Sequence, residues 1–209
     1  MAETLATELP SSASWLFLAE LSHRINNEDA TAISMVSVAA ARAASEEARA
    51  ALEDVGARLH DFARVHHALQ MPSDSALIDA AGCIREVCQS ISQSKLKTRG
   101  IALTLVEHPL EMESDRCWRL CLILSELITN AARHAFGTAG GAIQVEVRPS
   151  RSSIECRVSD NGRAPERVRP GRGLKIVEAL ASSLDGTVEC VFGPCGSALI
   201  VTFSADQTK

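Results

Sequence analysis

The chain has 209 residues, a net charge of −5 at pH 7 and a hydrophobic fraction of 46%, which is typical of a globular protein with one or two domains. Only 3% of the residues are aromatic and tyrosine is absent, which argues against binding of single-stranded nucleic acid through aromatic stacking. No apolar run approaches the roughly 20 residues that cross a bilayer, and the N-terminus lacks the pattern of a secretory signal. We therefore expect a cytoplasmic protein with no nucleic-acid or membrane partner.

Seven cysteines are present, and no Cys-x-x-Cys pair occurs. Cys117 and Cys121 are four residues apart in a helical pattern, so they could orient two metal ligands. No second closely spaced pair accompanies them. We therefore expect buried, reduced thiols rather than a zinc site.

The first 70 residues predict two long helices joined by a short turn. An alanine-rich pattern without glycine or proline runs from about Ser12 to Arg42, and a second helical pattern runs from about Ser45 to Leu69. Ser45 is a candidate N-cap, because its hydroxyl can accept a hydrogen bond from the first helical turn. A single helical hairpin has a narrow core, so we expect two chains to form a homodimer through it as a four-helix bundle.

A break at residues 71–75 ends the second helix, because proline lacks the amide that a helix needs. We place the domain boundary there, with a helical hairpin over residues 1–72 and a second domain over residues 73–209. The second domain predicts helices and strands in mixed order: helices at about 77–98, 114–135 and 174–184, and strands at about 101–106, 142–147, 154–159, 187–192 and 198–203. Strands covered by helices on one side form an α/β sandwich, so the expected fold class of the chain is α+β.

One helix of the second domain carries four polar residues on a single face. Glu126, Asn130, Arg133 and His134 follow the spacing i, i+4, i+7 and i+8. A carboxylate, an amide, a guanidinium and an imidazole could together hold a magnesium ion and phosphate oxygens. A solvated helix face explains the same spacing equally well.

Two glycine-containing segments follow this helix. Asp160-Asn161-Gly162 ends a predicted strand, where a carboxylate can accept a hydrogen bond from a base amino group and glycine lets a ligand approach the backbone. Gly171-Arg172-Gly173-Leu174 opens a predicted helix, whose amides and positive end attract phosphate. Either segment alone is also compatible with an ordinary turn or helix entry.

In this order, the three segments resemble the GHKL ATP-binding domain that histidine kinases share with gyrase and MutL proteins. Residues 126–134 are similar to its N-box, residues 160–162 to its first glycine box and residues 171–174 to its second, while Gly196-Ser197 resembles the Gly-Thr pair that closes the adenine pocket. The resemblance implies ATP and Mg²⁺ as ligands, with Asn130 on magnesium and Asp160 on the adenine amino group. The nucleotide-binding residues that it implies are Asn130, Arg133, His134, Asp160, Gly162, Gly171, Gly173 and Ser197.

A histidine on the first helix extends the resemblance over nearly the whole chain. Residues 23–27, His-Arg-Ile-Asn-Asn, resemble the His-Arg-x-x-Asn phospho-acceptor motif of the second histidine-kinase dimerisation class, and residues 58–70 resemble its second helix. On its own, His23 fits a surface histidine, since it lies off the apolar stripe of its helix. The resemblance implies instead that ATP phosphorylates His23, with Glu126 as the second catalytic residue, and that an aspartate of a response-regulator receiver domain then takes the phosphoryl group.

The chain departs from the pattern of this family at several positions. Asn26 replaces the usual lysine, and Asp29 places a carboxylate on the apolar stripe, which costs stability unless the carboxylate is paired. Ala164 stands where the family has a further glycine. The segment Arg163–Pro170, which corresponds to the lid over ATP, is short, although its arginines could reach phosphates.

These departures leave two alternatives to a histidine kinase. An ATP-independent phosphotransfer protein of the same architecture would relay phosphate between response regulators through His23. A binding protein similar to anti-sigma factors would sequester a partner, although such a protein does not need the histidine-bearing hairpin. Few residues precede Ser12, so we expect either that the input signal comes from a separate sensor protein or that the chain is not a self-starting kinase.

Overall fold

The computed structural model describes residues 12–70, 76–137, 139–163, 171–193 and 196–205, and between residues 12 and 23 it describes only the side chain of Glu20. The chain divides into two compact units, Met1–Met71 and Pro72–Lys209. The predicted boundary residues, 71–75, lie outside the described residues. The division into domains at residue 72 therefore stays a prediction.

The described part of the first unit consists of two helices, as the sequence predicts. Helix α1 spans Ser12–Ala41 and helix α2 spans Glu46–Ala68. The predicted N-cap is confirmed, since the Ser45 hydroxyl accepts a hydrogen bond from the Ala48 amide at 3.2 Å. Glu46 and Glu47 lie in the first turn of α2, where carboxylates interact favourably with the helix dipole.

Contacts between α1 and α2 define an antiparallel hairpin. Asp29 lies against His66, and Val36 lies beside Gly56. Residues later in α1 therefore contact residues earlier in α2. Gly56 is buried, and its lack of a side chain leaves the two backbones room to approach each other. The carboxylate of Asp29 has a partner in His66, which offsets the cost that the sequence predicts for it.

The second unit contains a five-stranded sheet and a two-stranded sheet. Its strands in chain order are β1 (Leu77–Asp79), β2 (Ile101–Val106), β3 (Glu111–Glu113), β4 (Gly141–Pro149), β5 (Ser153–Asp160), β6 (Thr187–Gly193) and β7 (Gly196–Ser204). The larger sheet has the order β2-β4-β5-β7-β6, in which only the β2–β4 pair is parallel. Strands β1 and β3 form the smaller antiparallel sheet.

Three helices cover one face of the larger sheet: α3 (Ala80–Ile91), α4 (Ser114–His134) and α5 (Arg172–Ser182). Along β4 the side chains of Ile143, Val145 and Val147 are buried, whereas Gln144 and Arg148 are exposed, as expected for a sheet with one covered face. The predicted α/β sandwich, and with it the α+β fold class, is confirmed. The largest fully buried side chains are Val87, Ile91, Leu96, Leu120, Ile123, Leu124, Leu127, Ile128, Ile143, Val145, Val158 and Phe203.

The predicted helix at residues 77–98 is only partly correct. Leu77–Asp79 is strand β1, and the α-helix begins after Asp79, whose carboxylate accepts a hydrogen bond from the Gly82 amide and so acts as its N-cap. The α-helix ends at Ile91 and is followed by a π-helical segment at Ser92–Leu96 and a 3₁₀ turn at Lys97–Arg99. Pairing of β1 with β3, a contact distant in sequence, overrides the local helical pattern.

The described cysteines are free thiols, and Cys88, Cys117, Cys121 and Cys156 are buried. Burial raises the pKa of Cys88 to about 12, and a hydrogen bond with Cys121, together with burial, raises the pKa of Cys117. Cys88 and Cys117 are therefore protonated core residues at neutral pH. Within the described residues, no group of three or more His, Cys, Asp or Glu side chains is arranged to hold a metal ion.

No described helix is both long enough and apolar enough to cross a membrane.

Candidate functional site

The predicted phospho-acceptor residue, His23, lies within α1 of the first unit. Its side chain lies outside the described residues. Asn26, one turn further along, is half-buried, and Asn27 is exposed. The residues predicted to bind ATP all belong to the second unit.

The polar face of α4 lies against the first turn of α5. A Cβ atom added at Gly173 would lie 2.9 Å from Glu126 Oε2 and 3.0 Å from Asn130 Nδ2. Both polar side chains are half-buried, so they do not belong to a fully solvated helix face. The structure thus brings Gly173 together with two predicted site residues, Glu126 and Asn130, that lie far from it in the sequence.

The N-terminus of α5 begins after Gly171, its N-cap residue. Among the residues that the structure describes, no side chain caps this helix, and a Cβ atom at Gly171 would meet no atom within 4 Å. The first amides of a helix have no intrahelical partner and lie at its positive end. The half-buried Glu126 and Asn130 beside Gly173 therefore lie next to amides that can bind phosphate.

Arg133 and His134 lie in the last turn of α4 and are exposed. Cationic side chains in the last turn of a helix stabilise it through the helix dipole, whether or not a ligand is present. Stabilisation of α4 is therefore sufficient to explain the position of these two residues. Their predicted contact with nucleotide stays a prediction.

Asp160 is the last residue of strand β5. Its Oδ1 atom accepts a hydrogen bond from the Gly162 amide at 2.9 Å, and a carboxylate has further lone pairs that can accept from a ligand. Ser197 of β7 is the register partner of Asp160, so the two side chains lie on the same face of the sheet. Both are half-buried.

The turn after Asp160 is fixed by contacts that the sequence does not reveal. Asn161 Oδ1 accepts a hydrogen bond from the Ala142 amide at 2.8 Å, and the carbonyl oxygen of Ala135 accepts one from the Arg163 amide at 3.0 Å. A Cβ atom at Gly162 would overlap this Ala135 carbonyl, so glycine is needed for the close approach of the turn to the end of α4. Asn161 and Ala135 thus position the predicted site, and the only signal for Asn161 is its place in the Asp-Asn-Gly turn.

Residues 164–170 lie outside the described residues. They include Ala164 and most of the segment that corresponds to the lid, on which the predictions about a weakened nucleotide site depend. Arg163 is described, and its side chain is exposed.

Two family models match this chain. Residues 20–95 match the family described as histidine kinase, and residues 91–201 match the family described as histidine kinase-like ATPase domain. The chain belongs to the histidine kinase family. The second match alone covers more than half of the chain, and the two ranges together include His23 and every predicted ATP-binding residue.

Curated relatives of this kinase-family chain are sensor kinases. It is 29% identical over 177 residues to the sensor histidine kinase PdtaS of Mycobacterium tuberculosis, an alignment that covers 81% of this chain and 35% of PdtaS. It is 24% identical over 211 residues to the blue-light-activated histidine kinase 2 of Erythrobacter litoralis, covering 92% of this chain and 58% of the relative. The chain therefore spans about a third to three fifths of the length of these relatives.

Solved structures show the same fold. The histidine kinase domain of the Erythrobacter litoralis EL346 blue-light-activated histidine kinase superposes with a TM-score of 0.59 at 20% identity, covering 89% of this chain and 92% of that chain. The Acinetobacter baumannii histidine kinase AdeS superposes with a TM-score of 0.53 at 18% identity, covering 86% and 96%. At these identities the likeness concerns the fold.

Proposed function

We propose that this chain is a protein-histidine kinase that phosphorylates His23 with ATP and passes the phosphoryl group to an aspartate of a response-regulator receiver domain. The observation that carries the proposal is the packing of Gly173 against Glu126 and Asn130. It joins two segments that the sequence resemblance assigns separately to nucleotide binding. The match to a histidine kinase-like ATPase family over residues 91–201 favours this function over an ATP-independent phosphotransfer protein.

The residues of the second unit fit a magnesium nucleotide. Asn130 offers an amide oxygen, of the kind that Mg²⁺ accepts as a ligand, and Asp160 offers a carboxylate to the adenine amino group. The first turn of α5, at Gly171 and Gly173, offers amides to phosphate. Bound Mg²⁺ would offset phosphate charge during transfer. Arg133, His134, Gly162 and Ser197 complete the proposed binding set.

The proposed reaction needs only a nucleophile and a phosphoryl donor. A neutral imidazole nitrogen of His23 attacks the γ-phosphorus, a nitrogen–phosphorus bond forms, and the bond to the bridging oxygen of ADP breaks. Glu126 is proposed as the catalytic carboxylate that takes up a proton at the reacting centre. The phosphoryl group then passes from His23 to a carboxylate oxygen of the receiver aspartate.

A homodimer through the helical hairpin is part of the proposal. In the described hairpin, several large apolar side chains stay exposed: Ile25, Met35, Val38, Val55 and Phe62. A second hairpin packed on them would bury this surface in a four-helix bundle. Light scattering on the purified chain should give the mass of two chains, whereas replacing Val55 and Phe62 by aspartate should give the mass of one.

The test of the kinase is labelling with γ-labelled ATP and magnesium. Wild-type protein, the His23→Ala variant and the matched control His67→Ala should be compared, because His67 is an exposed histidine of the same hairpin. We expect acid-labile label on wild type and on His67→Ala, and none on His23→Ala. Asn130→Ala should lose label together with nucleotide affinity, measured by calorimetry.

The same experiment separates the alternatives. A wild-type chain that binds no ATP and takes no label contradicts the kinase. Label that reaches His23 only from a phosphorylated receiver domain would establish the ATP-independent phosphotransfer protein. A chain that takes phosphate by neither route would fit the binding protein.

A further inference from the structure

Strand β2 lies at an edge of the larger sheet. Among the described residues it pairs on one side only, with β4. The Gly141 amide donates a hydrogen bond to the Gly100 carbonyl oxygen at 3.3 Å, so every second residue from Gly100 onward directs its backbone groups toward β4. The amides and carbonyls of Leu103 and Leu105 therefore face outward, away from the sheet.

The sequence of this edge does not protect it from pairing with another strand. Its six residues, Ile-Ala-Leu-Thr-Leu-Val, include no charged residue and no proline, which are common means of blocking an exposed edge. The opposite edge strand, β6, carries Glu189. Because uncharged segments of high β-propensity with unpaired backbone groups are templates for strand pairing, the outer edge of β2 can accept a further strand.

A cleft runs beside this edge, between β2 and the helical segment that precedes it. It is lined by Cys88, Gln89 and Gln93 on the helical side and by Leu103 and Leu105 on the strand. Its volume is about 200 Å³, below the roughly 300–1,000 Å³ of small-molecule sites, so it suits one or two side chains better than a cofactor. A strand added to β2 would place alternate side chains in this cleft.

The connection between the two walls of the cleft is basic. Residues 87–106 contain three charged side chains, and all are cations, Lys95, Lys97 and Arg99, although the net charge of the chain is −5. Lys97 and Arg99 are exposed. None of the three cations forms an ion pair within the described residues. A carboxylate of a partner would therefore find cations at this end of the cleft that need not leave another carboxylate.

We propose that the outer edge of β2 binds an extended acidic segment of a partner protein as an additional strand of the larger sheet. Antiparallel pairing is the more stable arrangement, and it puts the C-terminal end of the segment beside Lys97 and Arg99, which precede β2. Acidic residues at that end pair with these cations, and apolar side chains at alternate positions enter the cleft. The other end of the cleft is spanned by the ion pair of Arg85 with Glu107.

The test is the binding of synthetic peptides to the full chain without nucleotide, followed by fluorescence anisotropy. The probe is a labelled peptide of alternating valine and threonine that ends in three aspartates. One control peptide ends in three lysines instead. The other keeps the aspartates but carries N-methyl groups on the amides of its valine and threonine residues. We expect saturable binding of the probe and at least about tenfold weaker binding of each control, because they lose the ion pairs or the main-chain hydrogen bonds.

Matched variants of the chain locate the site. Arg99→Glu should weaken binding of the probe about five- to tenfold, since attraction becomes repulsion. Arg151→Glu, the same change of charge at an exposed arginine that does not line the cleft, should leave the affinity unchanged. Hydrogen exchange followed by nuclear magnetic resonance should show that the amides of Leu103 and Leu105 become protected when the probe binds.

Four results would overturn the proposal. The first is the absence of saturable binding of the acidic probe, and the second is equal affinity for the acidic and the lysine-ended peptides. The third is unchanged exchange of the Leu103 and Leu105 amides at saturation, which would place the peptide elsewhere. The fourth is protection of these amides in the chain alone that rises with its concentration, which would assign the edge to a second copy of the chain. Labelling of His23 by ATP is independent of all four, so failure here leaves the proposed kinase function untouched.

Discussion

Gly196 of β7 lies directly against the carbonyl group of Asp160, so that a Cβ atom at position 196 would overlap the carbonyl oxygen. Gly196 also has a φ angle of 134°, a conformation that residues with a side chain rarely adopt. Asp160 is the proposed contact to adenine, and its register partner is Ser197. One glycine therefore sets both the pairing of β5 with β7 and the position of the proposed adenine contact.

The first prediction concerns this glycine. Gly196→Ala should lower the free energy of unfolding by about 3 kcal/mol or more, because backbone strain and steric overlap each cost roughly 1–3 kcal/mol. Gly193→Ala in the same hairpin is the matched control, since its Cβ atom would find its nearest neighbour, the oxygen of Gly196, at 3.7 Å. Thermal unfolding followed by circular dichroism measures both. Equal melting temperatures for the two variants would contradict the steric argument.

The second prediction separates the two glycines at the start of α5. Gly173→Ala should weaken nucleotide binding by about one to two orders of magnitude. The added methyl group would displace the side chains of Glu126 and Asn130, and such a displacement costs roughly 1–3 kcal/mol. Gly171→Ala should retain most of the affinity, since its Cβ atom meets no atom of the described residues within 4 Å. Calorimetric titration with magnesium and a non-hydrolysable ATP analogue gives both constants. A larger loss in Gly171→Ala would mean that direct ligand contact at Gly171 decides binding.

The sequence predicts most of the fold because the periodic elements are long. Helices α1, α2 and α4 each repeat an apolar pattern over 20 residues or more, so local periodicity identifies them. Strands β1 and β3 have three residues each and exist through their pairing with each other, which no local pattern contains. The division of the predicted helix at residues 77–98 has the same cause.

The candidate site follows the same rule. Residues with a distinctive spacing, such as Glu126 and Asn130, can be predicted from the sequence as a group. Contacts between segments distant in sequence cannot be predicted in this way, such as those of Asn161 with Ala142 in the turn after Asp160 and of Asp29 with His66 in the hairpin. For Asp29 the sequence indicates only that its carboxylate needs a partner. The packing of α1 on α2 shows that this partner is His66.

The third prediction concerns Asn161, which the sequence does not single out. Asn161→Ala should lower the free energy of unfolding by about 1 kcal/mol, because the Ala142 amide loses its acceptor. It should also weaken nucleotide binding, since Asp160 is the preceding residue. Asn161→Asp is the matched control, because it keeps an acceptor oxygen at the same place. Chemical denaturation measures the free energy of unfolding of each variant. An equally large decrease in Asn161→Asp would show that the hydrogen bond to the Ala142 amide does not cause the loss of stability.

The last prediction concerns pH and the ion pair between α3 and the end of β2. Arg85 Nε and Nη2 donate hydrogen bonds to the two carboxylate oxygens of Glu107 at 2.8 and 2.6 Å. The hydrogen bond from Arg85 lowers the pKa of Glu107 below its ordinary value of 4.5. A group with a lowered pKa in the folded state contributes stability that is complete above its unfolded pKa and is lost as the pH falls through its folded pKa.

We therefore expect Arg85→Ala to melt at a lower temperature than wild type at neutral pH, and the difference to shrink as the pH falls below 4.5, the ordinary value for Glu107. It should vanish once Glu107 is protonated in the folded wild type. Both side chains are exposed, so added salt should also reduce the difference at neutral pH. Arg151→Ala is the control, because Arg151 is exposed and forms no ion pair within the described residues. A difference in melting temperature that persists unchanged to about pH 3 would show that Arg85 stabilises the fold through packing rather than through the carboxylate.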